Sequence, residues 1–208
     1  MKILSVSQYK GTTFCIEIEG VPNVYIGAQT VEKYSLKAGL ELPRAALEEI
    51  QYADLERKAN QRALHILAAR DCSFTELYRK LEKNYPKELC LNVCRRMAEL
   101  GYINDRAYAE KLARHLFEVK KLGMIKAKYE MKSRGLPPSV IEKALEPYLD
   151  EEGTLERLEE LVEKKYERYL TDEKGVRKVK AALARAGYSY DSINAVLDMY
   201  DLEFDKEE

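Results

Sequence analysis

The segment GMIKAKYEMKSRG, Gly123 to Gly135, is answered fifty-two positions later by GVRKVKAALARAG, Gly175 to Gly187, with the same bracketing glycines and lysines inside both. A chain that repeats itself at such a period is built from copies of one supersecondary unit. The flanking pattern has the same period. Tyr108, Ala109, Ala113, Leu116 and Phe117 match Leu161, Val162, Tyr166, Tyr169 and Leu170 at a shift of 53, and Ala59, Ala63, Ile66 and Leu67 at a shift of −50. Each set is one buried helix face. Inside the twin segments Ala127 and Met131 correspond to Val179 and Leu183, and earlier to Leu77 and Leu81. A third helix follows, with Ile141, Ala144 and Leu145 matched by Ile193, Val196 and Leu197 and by Cys90, Val93 and Cys94. The expected fold is mainly α: an elongated body of three tandem three-helix repeats, 54–104, 105–150 and 151–208, the last ending in an acidic tail.

Residues 1–53 read differently, as a β-containing N-terminal extension. TTFCIEIEG alternates, with Phe14, Ile16 and Ile18 on one face and Glu17 and Glu19 on the other, the period of a half-buried strand. ILSVSQY and NVYIG are the other strand candidates, with turns at Lys10-Gly11 and Gly20-Val21-Pro22-Asn23, giving a small antiparallel sheet. AQTVEKYSLKAGLEL then reads as a short helix ended by Gly39, and Pro43 stands at the start of the next.

The bracketing glycines have a structural reading. Gly135 and Gly187 close equivalent helices, where a left-handed residue caps free carbonyls. Gly123 and Gly175 open them. Ser73 holds the opening position in the first repeat and begins SFTE, a capping box. Tyr85 stands where that repeat's second helix would close with glycine, so this turn must be built otherwise.

No catalytic constellation is visible. His65 and His115 lie beside apolar stripes, and no Ser/His/Asp order, phosphate-cradling glycine loop or HExxH motif occurs. Cys90 and Cys94 are one turn apart, but without a second ligand pair they read as small buried hydrophobes. Tyr102, Tyr108, Tyr166, Tyr169 and Tyr188 fall at stripe or turn positions and read as core rather than as nucleobase platforms. Neither an apolar run long enough to span a bilayer nor a secretory signal is present, and four cysteines lack disulfide spacing, so a cytoplasmic protein with no membrane contact is expected; a monomer without metal or cofactor is the accompanying expectation.

The net charge of −1 hides a division: 54–104 and 105–150 each carry 10 basic and 7 acidic residues, while 151–208 carries 10 and 16. With Ala127 and Met131 inward, Lys126, Lys128, Lys132 and Arg134 should form an exposed basic ridge. Arg177, Lys178, Lys180 and Arg185 repeat it in the third unit, and Arg79, Lys80 and Lys83 in the first. A merely solvated face and a ridge that follows a polymer, either a nucleic-acid backbone or the acidic groove of a protein filament, both remain open.

RDCSFTELYRKL (Arg70–Leu81) followed by ELGYINDRAYAE (Glu99–Glu110) resembles the RecX family, regulators of the RecA recombinase. Arg70, Ser73, Glu76, Leu77, Lys80 and Leu81 fill the family's R-x-x-S-x-x-E-L-x-x-K-L element. Leu100, Gly101, Tyr102, Asp105, Tyr108 and Ala109 fill its second element. The resemblance implies a non-enzymatic protein that binds the RecA filament on single-stranded DNA and damps its ATPase, strand-exchange and SOS co-protease activities, with DNA contact secondary. Arg70 and Lys80 join the ridge residues as candidate contacts. An unrelated helical scaffold and a direct single- or double-stranded DNA binder are the competing readings.

Overall fold

A computed structural model describes residues 1–200; the acidic tail expected beyond Tyr200 lies outside the described residues. Contacts divide the chain into two compact units, one formed by Met1–Arg70 with Tyr78–Glu99 and the other by Asp71–Leu77 with Leu100 onward.

The first unit opens with an antiparallel sheet in the order β1 (Ile3–Lys10), β2 (Thr13–Ile18), β3 (Val21–Gly27). Ile16 and Ile18 bury against Ile3, Ile26, Leu47 and Ile50, while Glu17 and Glu19 face solvent. Val21 and Pro22 belong to β3 and not to the turn: Ile18 pairs directly with Val21, so Glu19-Gly20 makes the connection. Pro22 is tolerated because β3 is an edge strand and a register shift leaves it without a ladder partner. Helix α1 (Ala28–Lys33) stops well before Gly39. Ser35 already takes a left-handed conformation, with φ 48°, and Gly39 instead turns the chain back so that its N–H donates to Ile3 O at 2.9 Å.

Helix α2 (Arg44–Ala69) follows Pro43 and runs unbroken through the 53/54 boundary drawn from sequence. The residue at that boundary explains why. Asp54 is 2% exposed; its carboxylate accepts from Gly27 N–H at 3.1 Å and Thr30 Oγ1 at 2.7 Å, and pairs with Lys58 at 2.6 Å and Arg57 at 3.1 Å. One buried anion therefore ties the end of β3 and the start of α1 to the middle of α2. Helix α4 (Lys87–Glu99) packs on α2 through a face that buries Cys90, Val93, Cys94 and Met97. Between α3 (Phe74–Leu81) and α4 the glycine-free turn is closed by Asn84 and Tyr85 N–H groups on Leu81 O, before Pro86 leads into α4.

In the second unit, α5 (Asp105–Arg114) continues as a π-helical turn to Val119, followed by α6 (Met124–Ser133) and α7 (Pro138–Leu145). The next repeat comprises α8 (Glu151–Lys165), α9 (Glu173–Ala186) and α10 (Tyr190–Leu197). Each repeat has its own core: Ala109, Ala113, Leu116, Phe117, Ala127 and Met131 in one, and Leu158, Val162, Val179, Leu183, Ile193 and Val196 in the other. Gly175 does not open α9. Asp172 caps it, its side chain accepting the Gly175 N–H, so Gly175 sits inside the first turn.

Within the second unit, α6 meets the end of another helix at each of its own ends. Gly187 closes α9 with φ 95°; Ala186 O accepts from Gly123 N–H at 2.9 Å and Gly187 O from Ile125 N–H at 3.1 Å, both at the start of α6. At its other end α6 repeats the device: Arg134 O accepts from Ser73 Oγ at 2.5 Å, and Gly135, φ 71°, lies against Thr75. Around the α9–α6 junction Glu160 accepts from Lys121 at 2.5 Å and Lys164 at 2.6 Å, which holds its carboxyl at about 2. Tyr188 donates to Lys121 O at 3.0 Å, and burial pushes its hydroxyl up to about 12.

A Cβ on Gly187 would meet the Lys126 backbone, and one on Gly123 the Gly187 backbone. Gly187→Ala should therefore cost about 2–4 kcal/mol, from overlap plus the left-handed backbone. Gly123→Ala, with ordinary φ, should cost about 1–3 kcal/mol from overlap alone. A wild-type urea midpoint in Gly123→Ala would remove the junction as drawn. Asp54→Ala should lose about 2–4 kcal/mol. Burial alone would raise this carboxyl, but Lys58, Thr30, Gly27 and Arg57 together hold it below its ordinary 3.8. Its contribution is complete above that ordinary value and is lost as pH falls through the depressed one, so the gap between wild type and Asp54→Ala should narrow on acidification.

Candidate partner-binding site

Parts of the two sequence elements that carry the family resemblance, 71–77 and 100–110, meet in the second unit. Ser73 and Glu76 cap each other, with Glu76 N–H to Ser73 Oγ at 3.0 Å and Ser73 N–H to Glu76 Oε2 at 3.4 Å. Tyr108 donates its hydroxyl proton to Glu76 at 3.2 Å and accepts from Arg134 Nη1 at 2.9 Å. Asp105 accepts the Phe74 N–H at 2.9 Å, and burial pushes its carboxyl up. Asp71 pairs with Lys111 at 2.8 Å. The motif residues Ser73, Glu76, Asp105 and Tyr108 are thus a brace around a helix junction.

Arg134 belongs to that brace and not to an exposed ridge. Its half-buried side chain is committed to Tyr108, and its carbonyl to Ser73. Other members of the expected ridge are also engaged. Lys126 is half-buried against Gly187, with its ammonium 5.1 Å from the Tyr129 ring centre and 3.8 Å from Glu130. Lys180 donates to Asn194 at 2.9 Å, and Arg177 pairs with Glu173 at 3.1 Å. In the first unit, Arg79 and Lys80 occupy the last turn of α3, where cations complement the free carbonyls, and Arg70 is the C-cap of α2.

What α6 does expose is a stripe the charge pattern missed. Ile125, Lys128, Tyr129 and Lys132 stand at i, i+3, i+4 and i+7, all exposed, with Ile125 at 65% and Tyr129 at 63%. The opposite line, Ala127 and Met131, is fully buried. Among the described residues Lys128 and Lys132 have no carboxylate partner. Apolar and cationic side chains therefore alternate along one outward face, and the signal in the sequence was the two large residues that the inward stripe did not use.

The aromatic residues divide. Tyr108 and Tyr188 are buried and Tyr166 is half-buried, whereas Tyr102 is 57% and Tyr169 47% exposed, contrary to a core reading. Cys72, Cys90 and Cys94 are buried thiols. Among the described residues no group of three His, Cys, Asp or Glu side chains could hold a metal ion, and no helix is long and apolar enough to cross a membrane. Tyr108→Phe should keep the helices but unfold about 1–2 kcal/mol more easily, since both Glu76 and Arg134 lose a partner; thermal and urea melts followed by circular dichroism measure this.

Comparison with known proteins agrees with this architecture. Models of the second and third three-helix domains of RecX match residues 104–145 and 151–197. Regulatory protein RecX of Trichlorobacter lovleyi is 31% identical over 140 residues, covering 65% of this chain and 91% of its own. The protein of that name from Clostridioides difficile is 28% identical over 185 residues, covering 88% and 86%. A crystal structure of a regulatory protein RecX shares the fold with a TM-score of 0.66 at 22% identity, over 95% of this chain and 98% of that one. RecX from Lactobacillus salivarius gives 0.63 at 27% identity, over 73% and 99%. The chain belongs to the RecX family, whose members are regulatory proteins and not enzymes.

Proposed function

We propose that this protein binds the RecA recombinase and its filament on single-stranded DNA, and modulates, chiefly by inhibiting, its recombinase, ATPase and co-protease activities. The observation that carries this is the outward face of α6. A surface made only for phosphate would be uniformly cationic and salt-sensitive. Ile125 and Tyr129 between Lys128 and Lys132 suit a protein groove with acidic walls and an apolar floor, where an exposed aromatic becomes an anchor once desolvated. The junctions support the same reading. They fix α6 at both ends, so its face is presented without an ordering cost on binding. Lys178, exposed on α9, and Arg70, Arg79 and Lys80 are secondary candidates.

The test is the single-stranded-DNA-stimulated ATPase of the host recombinase, titrated with this protein. Wild type should suppress hydrolysis and shorten filaments. Lys128→Glu with Lys132→Glu should raise the half-maximal concentration at least ~10-fold, and Tyr129→Ala about 30-fold, with unchanged melting. Unchanged hydrolysis and filament length at saturating wild-type protein would sink the proposal. Full inhibition by both variants would remove the α6 face from it.

A further inference from the structure

At the constant shift between repeats, Tyr169 stands where the preceding repeat has Leu116. Leu116 is 1% exposed, in the core; Tyr169 is 47% exposed. The cause is local. Helix α5 carries on as a π-helical turn to Val119, but α8 stops at Lys165 and a 3-10 turn, Glu167–Tyr169, follows. That turn sends Leu170 into the core and Tyr169 out. Packing gives no reason for a large ring at this place.

The exposed ring forms one wall of a cleft of about 540 Å³ in the third repeat, within the size range of small-ligand sites. Tyr166 extends that wall, Val179 and Ala182 are apolar lining, and Lys174 and Lys178 stand one helical turn apart on α9. The walls are already in contact: a Cβ on Gly175 would collide with Tyr169 O, so the absence of a side chain there lets the 3-10 turn lie directly on α9. The guanidinium of Arg168 sits 4.8 Å from the centre of the Tyr169 ring. Among the described residues Arg168, Lys174 and Lys178 have no carboxylate partner. Among the described residues the one acid lining the cleft, Asp172, already accepts the Gly175 N–H at 2.5 Å. Residues 151–208 hold 10 basic and 16 acidic side chains, so three cations around one tyrosine with no carboxylate partner among the described residues are a local inversion of charge.

We propose that this cleft binds a nucleotide unit, its base stacked on Tyr169 and its phosphate held by Lys174 and Lys178. A ring against a tyrosine and an anion against paired lysines is the combination by which single-stranded nucleic acids are held. A free nucleotide offers the same chemistry. The site is separate from the α6 face and stands independently of the recombinase reading.

The experiment uses the full chain and a 5′-fluorescein-labelled ten-residue oligothymidylate, followed by anisotropy at several salt concentrations. Wild type should bind. Tyr169→Ala should weaken binding about 5- to 150-fold, and Tyr169→Phe, which keeps the ring, should restore most of it. Lys174→Gln with Lys178→Gln, which releases the one phosphate held between them, should lower the slope of log affinity on log salt by about 0.7. Displacement by thymidine monophosphate assigns the site to free nucleotides, and failure to displace at millimolar concentration assigns it to the strand; both keep the proposal. No binding by wild type at low salt, equal binding by all variants, or displacement by an acidic phenylalanine-containing peptide in preference to the nucleotide overturns it. Inhibition of the recombinase ATPase by the same preparations is read separately, so a failed cleft and a failed regulator give different patterns.

Discussion

The second unit depends on helix ends that satisfy one another. A helix leaves carbonyls unpaired at its C-terminus and N–H groups unpaired at its N-terminus, and burying either end unpaired is costly. Here Ala186 and Gly187 supply the carbonyls, and Gly123 and Ile125 the N–H groups. The two dipoles meet with opposite ends together, which is favourable. Such an approach leaves no room for a Cβ on either glycine, so the recurrence of glycine is forced by contact. At the other end of α6 the same problem has another solution, a serine hydroxyl on a carbonyl, and there glycine is needed on one side only.

Much of this was legible because it is periodic or local. The stripes found by their shift are the cores of the repeats: Ala127, Met131, Val179 and Leu183 are all buried. The SFTE capping box is present as drawn, and Gly135 and Gly187 have the left-handed backbone expected of them. What failed was decided by distant partners or by helix termini. Arg134 reads as exposed on a helical wheel, but its long side chain reaches Tyr108 in another helix. Tyr169 fits the stripe by count, yet the early end of α8 carries it outside. Gly175 aligns with Gly123, but Asp172 takes over as cap three residues earlier. Gly39 lost its role as helix terminator to Ser35, a residue that rarely adopts φ 48°.

The two surfaces proposed as functional are places where one repeat departs from the others. On α6, Ile125 and Tyr129 have Arg177 and Ala181 as their counterparts on α9, so the apolar content of that face is particular to the middle repeat. In the third repeat an aromatic ring replaces a core leucine and is turned outward. Repetition provides the frame, and the deviations from it carry specificity.

The uninterrupted course of α2 removes any hinge between the N-terminal sheet and the first helix of the first repeat. A helix of 26 residues is about 39 Å long, and this one is gripped near its middle by Asp54 and packed against α4 further on. The sheet and α4 are therefore attached to the same helix, with no loop between their points of attachment. The N-terminal extension and the opening helix of the first repeat thus share one continuous helix, and a change of direction in either is a change of direction in both.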